Sequence, residues 1–404
     1  MLDSAESIVP ERYRLGNWRR VIENQGTTLQ ADAKDLPDIS VVICTYNRCQ
    51  MLPGALESVL AQQTGGVRYE VIVVDNNSTD QTRQVIESYI WRGATNLHYV
   101  FEGRQGKPYA LNKAIDCARA PILAFTDDDI RVAPDWVAKI KRAFDEHAEV
   151  DLVGGKVLPI WDGPPAWLTR EHWSPLALVD YGDAPFYTSA HRPTCLVGAN
   201  LSMRRETFDL IGRFSTSLLR CQDHELQLRL WRAGRQGLYL PDVIVMAKVQ
   251  PERLTKAYHR WWHSNHGKYS AIMGYSEMLS DDLVDDEGRI KEPAPDEAML
   301  YGQPGFVYRE CIRIVAGSIL GWVTASIRGC EELSFRDENR IRHSINFINK
   351  SRQLYAARLD HSHPAELGRF FKAILRKKLK LNMQARRNRR HGEHLAIHDQ
   401  SEGN

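Results

Sequence analysis

The sequence predicts an α/β fold with a largely parallel sheet, helices on both faces and a helical C-terminal extension. Three observations carry that prediction. Short, continuously apolar runs recur before residue 130, stretches with helical spacing fill the gaps between them, and each run stops in a cluster of polar residues. Strands alternating with helices argue for βαβ units. Continuous apolarity, in place of in–out alternation, marks strands covered on both faces.

The elements follow in order. Residues 1–37 read as a polar arm with one short helix around Asn17–Glu23, ended by Pro37. Ile39–Cys44 is the first strand, and Leu52, Leu56, Val59 and Leu60 give residues 50–63 a helical stripe. Tyr69–Val74 is the second strand; it runs into Asp75-Asn76-Asn77-Ser78-Thr79-Asp80, whose Ser78 and Asp80 suit an N-cap for a helix over 80–91. Leu97–Phe101 is a third strand, 108–118 a helix, Ile122–Phe125 a fourth strand and 134–147 another helix. Beyond these, 150–157 reads as a strand, 159–195 as a long loop rich in Pro, Trp and Asp, and 204–212 and 223–233 as helices. From about 253 the pattern is helical and increasingly basic. The domain organisation is thus an arm (1–37), an α/β domain (38–250), a helical region (251–365) and a basic tail (366–404).

The bulk numbers bound the function. A chain of 404 residues, 43% hydrophobic and 26% charged, is ordinary for a globular protein, and a net charge of +2 gives no electrostatic case for nucleic-acid binding. The seven cysteines are scattered without metal or disulfide spacing, which fits a reduced, cytoplasmic compartment. The N-terminal residues lack the apolar core of a signal peptide. The most apolar stretch, Ile314–Ile327, is flanked by Arg309, Glu310, Arg313 and Arg328 and reads as a buried or interfacial helix, too short to span a membrane.

The chemistry lies where strands run out, since ligands of open α/β sheets bind outside the carboxyl ends of the strands. Asp127-Asp128-Asp129 follows Ile122–Phe125. Adjacent carboxylates repel and are costly to desolvate unless a cation meets them. Alternation sends Asp127 and Asp129 to one side and Asp128 to the other. Two carboxylates on one side suit Mg²⁺ or Mn²⁺, which typically adds substrate phosphates to one or two carboxylates; an isolated triplet is equally well a solvated helix cap. Gly103-Arg104-Gln105-Gly106-Lys107 lacks the spacing of a phosphate loop and reads as a flexible connection that brings Arg104 or Lys107 near an anion.

Six motifs in order, SVVICTYNR, EVIVVDNNSTDQT, GRQGKPYALNKAI, AFTDDD, VGANLSMRRETF and CQDHELQLRLWRAG, resemble the family 2 glycosyltransferases, inverting enzymes with the GT-A fold, over residues 38–270. That resemblance implies a Rossmann-like mixed sheet and a nucleotide-sugar donor, most simply UDP-linked. It implies that Thr45, Tyr46, Asn47 and Arg48 border the nucleotide, that Asp75 reads the base, and that Arg104 and Lys107 approach the donor. It further implies that Asp127 and Asp128 belong to the donor site as part of the DXD motif, Asp128 the least directly, and that Asp127 and Asp129 hold Mg²⁺ or Mn²⁺. Asn200 would border the sugar and acceptor pocket. Asp223 matches the general base, with Gln222 where Glu is usual and Glu225 as a second carboxylate. Asn112 divides evenly between a structural and a functional role.

Two further departures stand out. A metal-binding His is absent near Ala247–Val249, leaving His259, His263 or His266 as substitutes, and Arg260-Trp261 is similar to the QxxRW motif of processive synthases with Ala257 at the Gln position. The second favours single-sugar addition, in cell-envelope or polysaccharide synthesis, to a sugar, lipid-linked or other hydroxyl acceptor. The tail collects ten Lys and Arg residues between Arg369 and Arg390, interleaved with Phe370, Phe371, Ile374, Leu375, Leu379 and Leu381. It reads as an amphipathic segment for an anionic membrane surface, which would make the protein peripheral on the inner face. The rival classes are a nucleotidyltransferase of similar fold and a non-catalytic sugar-nucleotide-binding protein.

Overall fold

The computed structural model describes residues 36–273, 298–301, 303–358 and 372; the predicted arm helix and nearly all of the basic tail lie outside them. The first half alternates as the sequence predicts: β1 (Ile39–Thr45), α1 (Leu52–Leu60), β2 (Tyr69–Asp75), α2 (Thr82–Trp91), β3 (Leu97–Phe101), α3 (Lys107–Cys117), β4 (Ile122–Asp127), β5 (Ile130–Val132) and α4 (Trp136–Glu146). The second half adds β6 (Leu152–Ile160), β7 (Phe186–Thr188), β8 (Asn200–Arg204), α5 (Thr207–Ile211), α6 (Gln222–Arg232) and β9 (Gly237–Lys248). The C-terminal region holds α7 (Lys256–Met273), the hairpin β10 (Met299–Leu300) and β11 (Gln303–Pro304), α8 (Gly305–Ile327) and α9 (Glu331–Arg358).

The main sheet has nine strands in the order β3-β2-β1-β4-β8-β6-β9-β5, with β7 paired to β9. The β3-β2-β1-β4 half is parallel, and β8 joins β4 and β6 antiparallel, so the sheet is mixed. Every residue of β1 is buried, as a central strand sandwiched by helices requires. Register sets Thr45 opposite Asp75 and Cys44 opposite Asp127. The polar ends of β1, β2 and β4 therefore meet at one edge, and β1 is where the strand order turns from β2 to β4.

Two expectations are corrected. The helix expected over 204–212 starts only at Thr207 and is preceded by β8, where Leu201 and Met203 bury one face and Asn200 and Ser202 the other. Burial on both faces, with the Asn200 side chain satisfied inside, hides the alternation that would mark a strand. The loop 159–195 is ordered into two single-turn 3₁₀ helices and β7, and its Trp161, Trp167 and Trp173 pack on the core.

The helices α7, α8 and α9 pack on one another next to this loop. Gly267 of α7 is essential to that fit: a Cβ there would lie 2.2 Å from the His343 carbonyl oxygen of α9. His259 of α7 is enclosed by Trp167 and Phe335, with ring centroids 5.0 Å from Trp167. Burial pushes the imidazoles of His259 and His343 down to about 4 from an ordinary 6.5. Between those values the unfolded chain binds more protons than the folded one, so stability rises with pH there, is complete above 6.5 and is lost as pH falls through 4. The loss per imidazole is expected to be on the order of a few kcal/mol. Thermal unfolding between pH 7 and pH 5 tests this: the midpoint should fall steeply in the native chain, and less in His259→Phe.

Candidate active site

A cavity of about 1400 Å³ opens at the carboxyl edge of the sheet, between the α/β domain and the C-terminal helices. Lys107, Asp127, Gly198 and Asp223 line its sheet side; Trp261, His263 and His266 of α7, Arg313 and Ser318 of α8, and Arg336 and His343 of α9 line the other. The 3₁₀ turns of the former loop close a third side through Arg170, Trp173 and Tyr181.

The carboxylate triplet is divided among three sets of partners. Asp127 ends β4 and accepts a 2.5 Å hydrogen bond from Lys107 Nζ at the start of α3. Burial works against the Lys107 ammonium, yet the charge and hydrogen bond of Asp127, with a contribution from Asp223, raise its pKa. Asp128 turns inward, where Thr45 Oγ1 donates to its Oδ2 at 2.7 Å. Burial first, then the charge of Asp129, pushes Asp128 up to about 7, against the Thr45 hydrogen bond. Asp129 lies 3.8 Å from Arg48 and accepts from Gln250 Nε2 at 3.1 Å; burial and the charge of Asp127 raise its pKa, and Arg253 opposes that.

Lys107, Arg48 and Arg253 stand against the three carboxylates, yet burial and mutual repulsion still disfavour the charged forms of Asp128 and Asp129. Among the described residues no group of three or more His, Cys, Asp or Glu side chains is arranged to hold a metal ion by itself. The donor set nevertheless fits a hard cation. Asp127 and Asp129 offer carboxylate oxygens, burial and the charge of Asp127 make added positive charge favourable at Asp129, and Mg²⁺ or Mn²⁺ ordinarily completes such a pair with phosphate oxygens. Neither His259, enclosed by aromatic rings, nor the cavity-lining His263 and His266 completes a ligand set with them.

The β1 and β2 ends are tied together beside the triplet. Asn47 takes a left-handed conformation (φ 51°), which Asn tolerates better than most side chains. Its Oδ1 accepts from Thr79 N at 2.8 Å while its own N–H donates to Ser78 Oγ at 2.9 Å. Asp75 is buried, accepting from Ser78 N–H and from the Tyr99 hydroxyl at 3.1 Å. Tyr46 stands half exposed at the same edge.

Asp223 sits at the start of α6, after Cys221 in a left-handed conformation. Its Oδ2 accepts from Gly198 N–H at 2.9 Å and its Oδ1 from His224 N–H at 3.0 Å. Glycine at 198 leaves room for this contact: a Cβ there would lie 3.2 Å from that same Oδ2 and crowd the carboxylate. Gln227, fully buried one turn on, accepts from Leu196 N–H and donates to the Leu196 and Asp223 carbonyls, bracing the 196–198 segment on α6.

Not every expected residue joins the cavity. Arg104 is turned onto Glu102 in a two-pronged pair at 2.9 Å and lies over Tyr109. Asn200 is buried beneath the cavity with its side chain satisfied: Trp136 Nε1 donates to it, and it donates to the Lys156 and Val243 carbonyls. It therefore braces the sheet, whereas its neighbours Gly198 and Ala199 form the wall. Asn112 clamps Phe214 through both backbone groups, a structural role. Glu225 pairs with Arg229 on the surface of α6. Arg260 pairs with Glu338 of α9. The Gln-x-x-Arg spacing sought at Ala257–Arg260 is met instead by Gln250–Arg253, the pair that faces Asp129, with Leu254 where Trp would follow. Sequence reading missed Gln250, Arg253 and Gln227; for the first two the signal was their position just after β9, where the missing His was sought.

The fold and this edge constellation define the class: a GT-A sheet with an acidic strand end facing a large cavity. Residues 40–211 match the model of Glycosyl transferase family 2, and the domain they form belongs to that family. A glucosyl-dolichyl phosphate glucuronosyltransferase of Haloferax volcanii is 30% identical over 193 residues, 47% of this chain and 59% of that protein. Polypeptide N-acetylgalactosaminyltransferase 11 of Xenopus tropicalis is 23% identical over 224 residues, 51% of this chain and 37% of that protein. The chain thus spans about four to six tenths of these two curated relatives. Among solved structures, a mannosyltransferase from Pyrobaculum calidifontis in complex with GDP-Man and Mn²⁺ superposes with a TM-score of 0.50, covering 82% of this chain and 93% of that one at 18% identity, a likeness of fold.

The Thr45–Asp128 bond gives a direct test of the charge balance. In metal-free buffer, Thr45→Val is expected to cost about 1–3 kcal/mol of stability at pH 8. The cost should be smaller at pH 6, where Asp128 is mostly protonated and its hydrogen bond from Thr45 is no longer charge-assisted. Denaturant unfolding at the two pH values measures the difference.

Proposed function

We propose that this protein is an inverting glycosyltransferase that moves a sugar from a nucleoside diphosphate, UDP first among the candidates, to an acceptor hydroxyl. The observation that carries the reading is that Asp127 and Asp223 line one cavity, with Lys107 paired to the first and charge-coupled to the second. The donor diphosphate would lie at the triplet and the acceptor on the Asp223 side.

The residues divide the work. Tyr46 offers an aromatic face to the base and Asp75 a carboxylate to its imino hydrogen. Lys107, Arg48 and Arg253 supply positive charge around the diphosphate. Asp127 and Asp129 would hold Mg²⁺ or Mn²⁺, which when bound supplies Lewis-acid neutralisation of the leaving group. Asp223, aimed by the Gly198 N–H, accepts the proton of the acceptor hydroxyl as its oxygen bonds to the anomeric carbon and the bond to the diphosphate breaks. A single carboxylate acting from the face opposite the leaving group gives inversion. With Leu254 interrupting the Gln-x-x-Arg-Trp pattern, single addition is the preferred mode, in cell-envelope or polysaccharide synthesis on the cytoplasmic side.

A thermal-shift screen of nucleotide sugars with and without Mn²⁺ tests the donor. Stabilisation by one donor only when metal is present is expected, and Asp129→Ala should abolish it. Asp223→Asn should keep that stabilisation while lowering transfer on the order of 10²–10⁴-fold. Pyrophosphate release from a nucleoside triphosphate would instead mark a nucleotidyltransferase, and binding without turnover would mark a non-catalytic binder.

A further inference from the structure

The helix α8 has two unlike long faces. Val307, Cys311, Ser318 and Ala325, at spacings of four and seven, are buried against the neighbouring elements. The other side shows Ile312, Ile319, Leu320, Val323 and Ile327, with Trp322 beside them; Leu320 is 70% exposed and Ile327 81%. Isolated exposed apolar residues are ordinary, but a contiguous stripe marks an interaction surface. No charged residue interrupts it between Arg313 and Arg328, about 22 Å of helix. The helix is long and apolar enough to cross a membrane, yet only 17% of its most apolar window is buried. Two parts of the sequence expectation are therefore corrected: at 23 residues the helix is not too short to span, and of the two readings, buried or interfacial, the buried one fails.

Charge decides what covers this stripe. Exposed Arg309 and Arg313 sit at one end and Arg328 at the other, and the acids nearby are engaged elsewhere: Glu310 with Arg313, Glu331 with Lys256, Glu332 with Thr169 and Asp337 with Arg336. A second copy laid antiparallel on the stripe would set arginines against arginines. The chain's own tail, with Arg376, Lys377, Lys378 and Lys380, carries the same sign. A spanning role fails for a different reason. The buried face of α8 is fitted to its neighbours closely enough that a Cβ at Gly321 would lie 2.2 Å from Asp337 Oδ2 of α9. Drawing α8 into a bilayer would strip α9 of its partner. An apolar stripe between cationic ends suits a helix lying in the headgroup plane of an anionic leaflet.

We propose that α8 docks flat on an anionic phospholipid surface through the Ile312–Ile327 stripe. Arg313, Ile314, Gly317, Ser318 and Gly321 of this helix line the cavity that Asp223 also lines. Docking therefore sets the acceptor side of the cavity at the level of the lipid headgroups, where a lipid-anchored hydroxyl would enter. That last consequence rests on the transferase reading; the docking itself does not.

Flotation of the full chain with vesicles of phosphatidylcholine mixed with phosphatidylglycerol tests the docking without donor or acceptor, so its failure leaves the transferase reading intact. The chain is expected to float with mixed vesicles and far less with phosphatidylcholine alone. Ile319→Asp with Leu320→Asp, both exposed and outside the cavity lining, should weaken binding at least about tenfold. Their far-UV spectrum and donor-induced thermal shift should match the native chain. If that pair unfolds the protein, Arg309→Glu with Arg328→Glu gives the same test through charge and should also release it. Flotation undiminished in these variants, or abolished only by Lys377→Gln, Lys378→Gln and Lys380→Gln in the tail, overturns the proposal. So does light scattering that shows a dimer dissolved by the α8 changes.

Discussion

The arrangement of the site depends on a charge problem at the end of β4. Three consecutive carboxylates leave an apolar strand, and the fold separates them: one to Lys107, one inward to Thr45, one to Gln250 and Arg48. That division needs β1 next to β4 in parallel register, because Thr45 reaches Asp128 only from the neighbouring strand end. It also needs β9 to finish beside Asp129, which the backbone bond from Lys248 N–H to the Asp129 carbonyl secures at 2.9 Å. Burial and mutual repulsion still penalise the charged forms of Asp128 and Asp129, and a divalent cation held there would offset that penalty while linking the carboxylates to an anionic diphosphate.

The second wall of the cavity is built by different means. Asp223 is aimed by backbone, through the Gly198 N–H and the Gln227 brace, and faces a surface supplied by α7, α8 and α9. Under the proposed function, donor chemistry would rest on the α/β domain, while the space for an acceptor would be shaped by the C-terminal helices and the 3₁₀ turns of 159–195. His343 lines this wall and His259 is enclosed by Trp167 and Phe335, so the packing of these helices contributes to the pH sensitivity of the fold.

The first half of the domain was legible because its signals are local. Runs such as Ile39–Cys44 and Tyr69–Val74 need no partner to be recognised as buried strands, and the ordered motifs place their ends. The strand β8 was not legible, since Asn200 and Ser202 look like surface residues, yet both are buried, and Trp136 and the facing carbonyls satisfy Asn200 inside. Gln250 and Arg253 escaped notice because their partner, Asp129, is more than a hundred residues away in sequence. The reverse holds for Arg104: a loop arginine near a phosphate site looks functional until Glu102, two residues before it, claims both prongs. Long-range pairing, which carries no local pattern, accounts for each of these differences.

The central claim is that the β4 carboxylates and a nucleoside diphosphate share one metal ion, opposite Asp223. Anomalous scattering from Mn²⁺ in crystals grown with a non-transferable nucleotide sugar tests it directly. The account predicts one peak within coordination distance of Asp129 and of the diphosphate oxygens, with the base against Tyr46 and Asp75 and the anomeric carbon turned toward Asp223. A metal bound away from the triplet, or a nucleotide seated with its sugar remote from Asp223, would contradict it.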